Sequence, residues 1–398
     1  MTLRDAVIVD YLRTAFSRSK PKQPEKDVFN NLRMDDAAAL LINELIKRTG
    51  IKADEIDEII FGCALQVDKQ FMYGGKAIGL LANISESVPC LAVDKQCGSS
   101  MSAIHIGAMK IMTGNSDIII AGGLEHMTHV PIPNNPHISF NPRFFQDPEL
   151  KHWEMDIAIS NGLTAEKLFE EADYLTKEDL DKWALRSHQL ATKALNEGYF
   201  KEEIMPVEVT LVDGKKAIID RDQNIRPDTS LEKIASLPPA FKPDGVITAG
   251  NSSPLSAGAT AMILMSKEKA KEYGLEPVAK IKSMASAGVH PSVMGKGPIP
   301  ASKKALDKAG LSVKDIDFWE INEAFAVVTL YAIHELGIEP ERVNVKGGAI
   351  AIGHPLGATG TRLVGTLARI LNEEGRDYGL ATACIAGGQG IATVIERI

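Results

Sequence analysis

Cysteine is scarce in this chain: there are four in 398 residues, at 63, 90, 97 and 384, with no Cys-x-x-Cys pair. That sparseness excludes a disulfide framework and a local metal site, and it suits a reducing compartment. No basic stripe is present either. The 44 Lys and Arg are interspersed with 52 Asp and Glu for a net charge of −8, so no nucleic-acid-binding face is expected. Long apolar runs are also missing, and Asp117-Ile118-Ile119-Ile120-Ala121 is far too short to span a bilayer. An expected strand begins at Asp5-Ala6-Val7-Ile8-Val9, so no leader peptide is expected, and the location is expected to be cytoplasmic. What is left is an ordinary globular composition, 44% hydrophobic and 24% charged, long enough for two or three cores.

Against that background the stretch Val93 to Gly114 stands out. Residues 88–93 read as a short apolar strand. After Cys97, Met101, Ile104, Ala108, Met109 and Met112 recur at helical spacing. Cys97 is therefore expected on a tight turn where a strand ends and a helix begins. Unpaired backbone N–H groups and the helix dipole would favour its thiolate there. Gly98 and Ser99 are small enough to leave room for a substrate.

The rest of the chain reads as alternating strands and helices, hence α/β with parallel sheet. Residues 35–49 form an amphipathic helix with Ala37, Leu40, Leu41 and Leu45 on one face, ended by Gly50. Residues 58–62 and 117–121 read as buried strands. From 124 to about 245 the composition shifts to Pro, Asn, aromatic and charged residues, with helical pieces near 164–171 and 177–197. This reads as an inserted subdomain.

The second half echoes the first. The run from Thr49 to Asp57 (TGIKADEID) returns 260 residues later as Ala309 to Asp317 (AGLSVKDID). Ala-Gly-Gly at 121–123 recurs at 386–388, an offset of 265. Two copies of one α/β unit about a pseudo-twofold axis are expected, with corresponding turns meeting at their interface.

Those turns carry the candidates for chemistry: Cys97 from the first copy, and Asn322, His354 and Cys384 from the second. A thiol nucleophile needs a base, and histidine suits that near neutral pH. A second thiol converging on the first would supply a proton donor. Of the other histidines, His105 is expected to pack inside a helix, while His126 and His129 are placed to line a pocket.

These boxes occur in the order Gln96-Cys97-Gly98-Ser99-Ser100, Asn322-Glu323-Ala324-Phe325, Gly353-His354-Pro355 and Cys384-x-x-Gly-Gly-Gln-Gly. The chain thereby resembles the thiolase superfamily over essentially its whole length. The segments 122–127 (GGLEHM) and 294–301 (MGKGPIPA) are similar to the bacterial 3-ketoacyl-CoA thiolases of β-oxidation. The resemblance implies two duplicated βαβαβαββ-type halves in a five-layer α-β-α-β-α arrangement. Residues 1–123 and 246–268 would form the N-terminal half, 269–398 the C-terminal half, and 124–245 an inserted, CoA-binding loop domain.

By the same resemblance, Cys97 carries an acyl group, His354 takes its proton and Cys384 protonates the departing enolate. His354, with a water held by Asn322, would form one oxyanion site; the backbone N–H groups of Cys97 and Ala386 would form another. Arg226, Ser253, Met294 and Asn161 fall at positions facing CoA or substrate. CoA and 3-ketoacyl-CoA are implied as substrates, with no metal or organic cofactor. A homodimer or homotetramer is implied, and for degradative members a hydratase–dehydrogenase partner subunit. Three positions depart from the family pattern: Ala386 for glycine, Asn161 for methionine and Ala257 for aspartate. The alternatives are an acetoacetyl-CoA thiolase working in the condensing direction and a non-catalytic acyl-CoA-binding member marked by Ala386.

Overall fold

Twelve strands organise the computed structural model, which describes residues 3–132 and 135–398. They are β1 (Ala6–Arg13), β2 (Ser17–Arg18), β3 (Glu58–Gly62), β4 (Cys90–Val93), β5 (Ile118–His126), β6 (Val207–Thr210), β7 (Lys216–Ile219), β8 (Ser256–Ser266), β9 (Ala279–Gly288), β10 (Phe318–Ile321), β11 (Tyr378–Ile385) and β12 (Gln389–Glu396). Nine of them form one path, β10-β11-β12-β9-β1-β8-β5-β3-β4, with β2 paired to β8 beside it. β6 and β7 make a separate hairpin.

The path reads as two equivalent halves joined at their edges. In the first, β3 runs parallel to β5, and β5 and β1 are antiparallel to β8. In the second, β10 runs parallel to β11, and β11 and β9 are antiparallel to β12. The equivalent strands β1 and β9 meet antiparallel at Val7–Lys280 and Ile8–Ala279. The repeated sequence explains the repeated geometry. Gly50 and Gly310 each end a helix in the left-handed region at φ 68°. Asp57 accepts from the N–H groups of Asp117 and Ile118, and Asp317 accepts from those of Asp377 and Tyr378. The Ala-Gly-Gly echo, by contrast, is not structural. Residues 121–123 lie within β5, which continues to His126, whereas 386–388 form the turn between β11 and β12.

Alternation along the strands builds the layers. Ile118, Ile120 and Ile263 pack with Leu41, Ile42 and Leu45 of helix Met34–Thr49. Their neighbours Ile119 and Leu264 face the other way, onto Ile104 of helix Ser99–Met112 and Leu363 and Leu367 of helix Leu356–Glu374. On the far side, Leu380 and Val394 pack against Ala305 and Leu306 of helix Pro298–Ala309. Three cores thus fill the five-layer arrangement, the middle one enclosing the central helices between strands of both halves. Each fully buried Leu or Ile side chain contributes roughly 1.5–3 kcal/mol. Leu40 is turned outward at 46% exposure; Ala38 and Ile42 complete the buried stripe at the 3.6-residue period.

Between the paired strands β5 and β8 the chain makes a long excursion containing helices Asn161–Glu170 and Lys177–Asn196. Two buried polar clusters tie it down. Arg13, fully buried, meets Glu203 at 2.8 Å and Asp222 at 2.7 Å. Glu323 accepts from Trp183 Nε1 at 2.9 Å and Ser187 Oγ at 2.7 Å on the long helix, and from Asn344 Nδ2 at 2.9 Å and Ile350 N at 3.1 Å.

Candidate active site

Cys97 lies in the turn Gln96–Gly98, between β4 and helix Ser99–Met112. The turn is strained: Gln96 takes φ 47°, a left-handed conformation that non-glycine residues seldom adopt. Side chains compensate. Asp94 Oδ1 accepts from Gln96 N at 3.1 Å, and Ser99 Oγ bridges Lys95 N and Gln96 O at 2.9 and 2.7 Å. Gly98 does not open space for a substrate as the sequence suggests, since a Cβ there would come within 2.5 Å of Ile385 Cδ1. The small residue serves packing.

The thiol itself is buried among Ala64, Met127 and Leu356. Burial pushes it up to about 12, against the pull of the N–H groups of Ala386 and Cys97. This reverses the expectation of a resting thiolate, because removal from water outweighs the helix terminus. Cys384, near the end of β11, is buried beside it. Its thiol is raised by burial and raised further by the neighbouring Cys97.

His354 follows the short helix Ala349–Ile352 and precedes helix Leu356–Glu374. Its N–H donates to Ser256 Oγ at 3.1 Å, and its Nδ1 lies 2.6 Å from Thr359 Oγ1. Thr359 gives its own proton to Pro355 O at 2.9 Å, so toward the ring it can only accept. Nδ1 therefore carries the hydrogen and Nε2 is bare. Asn322 Nδ2 stands 3.2 Å from Nε2, while its Oδ1 is buried without a hydrogen-bond partner among the described residues. Burial first, then the charge of Arg362, lowers His354 to about 3. At rest the site holds a neutral thiol and a neutral imidazole whose Nε2 lone pair faces Asn322 Nδ2.

Ala386 is half-buried in the turn after β11 and is not among the residues with positive φ. Gly387 and Gly388 take those positions, at φ 83° and 81°. Alanine is therefore accommodated without backbone strain, and its N–H still faces the Cys97 sulfur.

Models of the thiolase N-terminal and C-terminal domains match residues 6–268 and 275–397. The chain belongs to the thiolase family. It is 44% identical over 400 residues to a 3-ketoacyl-CoA thiolase of Marinobacter nauticus, covering 99% of each chain. A 3-ketoacyl-CoA thiolase of a Marinomonas species is 43% identical over 399 residues, covering 99% of this chain and 98% of that one. Among solved structures, human mitochondrial 3-ketoacyl-CoA thiolase superposes with a TM-score of 0.88 at 33% identity, and Bacillus anthracis acetyl-CoA acetyltransferase with 0.86 at 34%, each over 100% of both chains.

The four positions that the family resemblance assigns to the substrate side lie on separate segments of the fold. Met294 is buried in the segment Pro291–Lys296 and shares an apolar cluster with Cys384 and with Leu168 of helix Asn161–Glu170. Asn161 opens that helix, half-buried. Ser253 Oγ donates to Ala324 O at 3.1 Å. Arg226 is exposed, and its charge, after burial, lowers Arg18. Ala257, the third departure, is buried in β8 opposite His126.

Other readings resolve into structure. His126 and His129 stack at 3.6 Å and bond the carbonyls of Phe29 and Asn30, which makes them packing residues rather than pocket lining. His105 bonds Thr393 Oγ1 at 2.8 Å within the central core, as a packing residue should. Thr359, Glu125 and Glu323 escaped the sequence reading. Two of them carried a signal there, Glu125 as an acid inside an otherwise apolar strand and Glu323 as the neighbour of Asn322 in its box. No described helix is long and apolar enough to cross a membrane, and no described cluster of His, Cys, Asp and Glu is arranged to hold a metal.

Proposed function

We propose that the chain cleaves 3-ketoacyl-CoA with CoA, releasing acetyl-CoA and a shortened acyl-CoA through an acyl-enzyme on Cys97. The observation that carries this reading is a pair of neighbouring buried thiols, Cys97 and Cys384, with a neutral histidine two residues before Leu356, which packs with Cys97. Nε2 takes the Cys97 proton as sulfur attacks the 3-keto carbon, so charge appears only when substrate has arrived. The N–H groups of Cys97 and Ala386 receive the developing oxyanion; such donors contribute about 3 kcal/mol each. The C2–C3 bond then breaks, and its electron pair becomes the enolate of acetyl-CoA. His354 and a water held by Asn322 stabilise the enolate oxygen while Cys384 gives C2 a proton. A second CoA returns its thiol proton to Cys384 as its sulfur takes the acyl group from Cys97, and the departing Cys97 sulfur takes back the proton that His354 has held.

Arg226 and Ser253 are read as CoA contacts, and Met294 and Asn161 as neighbours of the acyl chain. No metal or organic cofactor takes part in the scheme. The relatives named 3-ketoacyl-CoA thiolase favour cleavage over condensation. A homo-oligomer fits the exposed Leu80 (55%), Leu91 (36%) and Met109 (50%), apolar surface in the half whose last strand, β4, has one unpaired edge. A cytoplasmic location completes the reading.

The test is CoA-dependent cleavage of acetoacetyl-CoA beside a long-chain 3-ketoacyl-CoA, with Cys97→Ser as the control. Faster turnover of the long substrate, lost in the variant, is the expected result. Activity confined to acetoacetyl-CoA transfers the reading to a short-chain enzyme, and CoA binding without turnover defeats it.

A further inference from the structure

We propose that Glu125 is a positioning residue that locks the turn carrying Cys97 to the turn carrying His354. It lies in β5 at 1% exposure, touches neither reacting atom by a hydrogen bond, and has no ion-pair partner among the described residues. A lone buried carboxylate is costly unless hydrogen bonds compensate. Here four donors converge on it. Oε2 accepts from Ala64 N at 2.9 Å and Gly357 N at 3.0 Å. Oε1 accepts from Gln70 Nε2 at 2.6 Å and faces Cys63 Sγ at 3.7 Å.

Two of these bonds lead to the reacting groups. Gly357 is in the first turn of helix Leu356–Glu374, three residues after His354. Ala64 presents its other face to Cys97: its carbonyl accepts from Gln96 Nε2 at 3.0 Å, and Gln96 is the strained residue directly before the nucleophile. A continuous chain therefore runs Gln96–Ala64–Glu125–Gly357, from one half of the molecule to the other. The two segments are packed closely where the carboxylate joins them: a Cβ on Gly357 would lie 2.3 Å from Leu124 O and 2.7 Å from Cys63 Cα, so only glycine fits at that position.

Ionisation matters to this lock. A carboxylate accepts from all four donors, whereas the protonated acid turns an O–H toward them. Burial raises Glu125 to about 7. The titratable groups facing it are the Cys63 and Cys97 thiols, both held neutral by burial. Asp94 lies beyond Gln96, bonded to that side chain at 3.2 Å. His354, lowered to about 3, does not titrate in the same range.

The inference rests on the proposed roles of Cys97 and His354. Its test is Glu125→Gln in the full chain, with steady-state kinetics across acid to neutral pH. The expected result is a kcat reduced roughly a hundredfold, with KM within about twofold, because misplaced catalytic groups cost rate rather than binding. Wild-type kcat should show an acid limb near pH 7 that is missing from the variant. A folded variant with wild-type kcat, or with the acid limb unchanged, overturns the proposal. Gln96→Ala cuts the same chain without a buried charge and decides the matter if Glu125→Gln does not fold. A roughly tenfold fall in kcat supports the lock, and an unchanged kcat overturns it. Alkylation of Cys97 by iodoacetamide, slowed in both variants, reads the coupling without turnover. Failure of the proposed activity therefore shows in the wild type alone and leaves this test standing.

Discussion

Thr359 Oγ1 sits 2.6 Å from His354 Nδ1 and, by donating to Pro355 O, fixes which ring nitrogen is free. The hydroxyl reaches the ring because Thr359 lies one helical turn past Pro355, so residues 354–359 form a self-contained device. Thr359→Val keeps the shape and removes the acceptor. We expect kcat to fall at least about tenfold, the scale of general-base catalysis. Thr359→Ser should restore most of it, and a Val variant with unaltered pH–rate profile would refute tautomer control.

Ala386 offers its N–H to Cys97 from a backbone that needs no positive φ. Ala386→Gly should leave kcat within about twofold, since the donor is unchanged. It should lower stability by about 0.5–1 kcal/mol through added freedom of the unfolded chain. A large gain in turnover would instead mean that the alanine Cβ crowds the site.

Glu323 receives four buried donors from two separate parts of the chain. Glu323→Ala orphans all of them, each costing about 1–3 kcal/mol when left unpaired. We expect a loss of at least about 3 kcal/mol in urea unfolding, with faster proteolysis within helix Lys177–Asn196. A loss near zero would show that the helix is held by its apolar face alone.

His105 is buried and lowered from 6.5 to about 3. Below pH 6.5 the unfolded chain takes up a proton that the folded chain refuses, so this contribution to stability is present above 6.5 and declines toward pH 3. The slope approaches about 1.4 kcal/mol per pH unit. Glu125 and Glu320, raised from 4.5 to about 7 and about 8, act in the opposite sense, favouring the fold as pH falls. His105→Gln, which keeps a donor for Thr393, should flatten the acid limb of the stability curve; an unchanged limb would refute the assignment.

Much of the fold was legible in residue order. Helical period and Gly50 defined helix Met34–Thr49, and the run ending at Asp57, returning at Asp317, announced the duplication. Both are visible as local patterns of residue spacing, although the bonds that Asp57 and Asp317 accept come from residues 60 positions further along the chain. The Ala-Gly-Gly echo misled because three small residues suit both a crowded strand and a tight turn.

At the site, sequence alone determined which side chains are capable of chemistry: Cys97, Asn322, His354 and Cys384 are chemical identities, and their turns follow from neighbouring residues. Their protonation states were decided by the tertiary structure. Packing of the two halves removes Cys97 and His354 from water and brings Cys384 beside Cys97, so thiol and imidazole rest neutral rather than as an ion pair. The same packing gives Glu125 its bond to Gly357, 232 residues away. Desolvation and long-range acceptance depend on what the folded chain places around a group, which no local pattern of residues records.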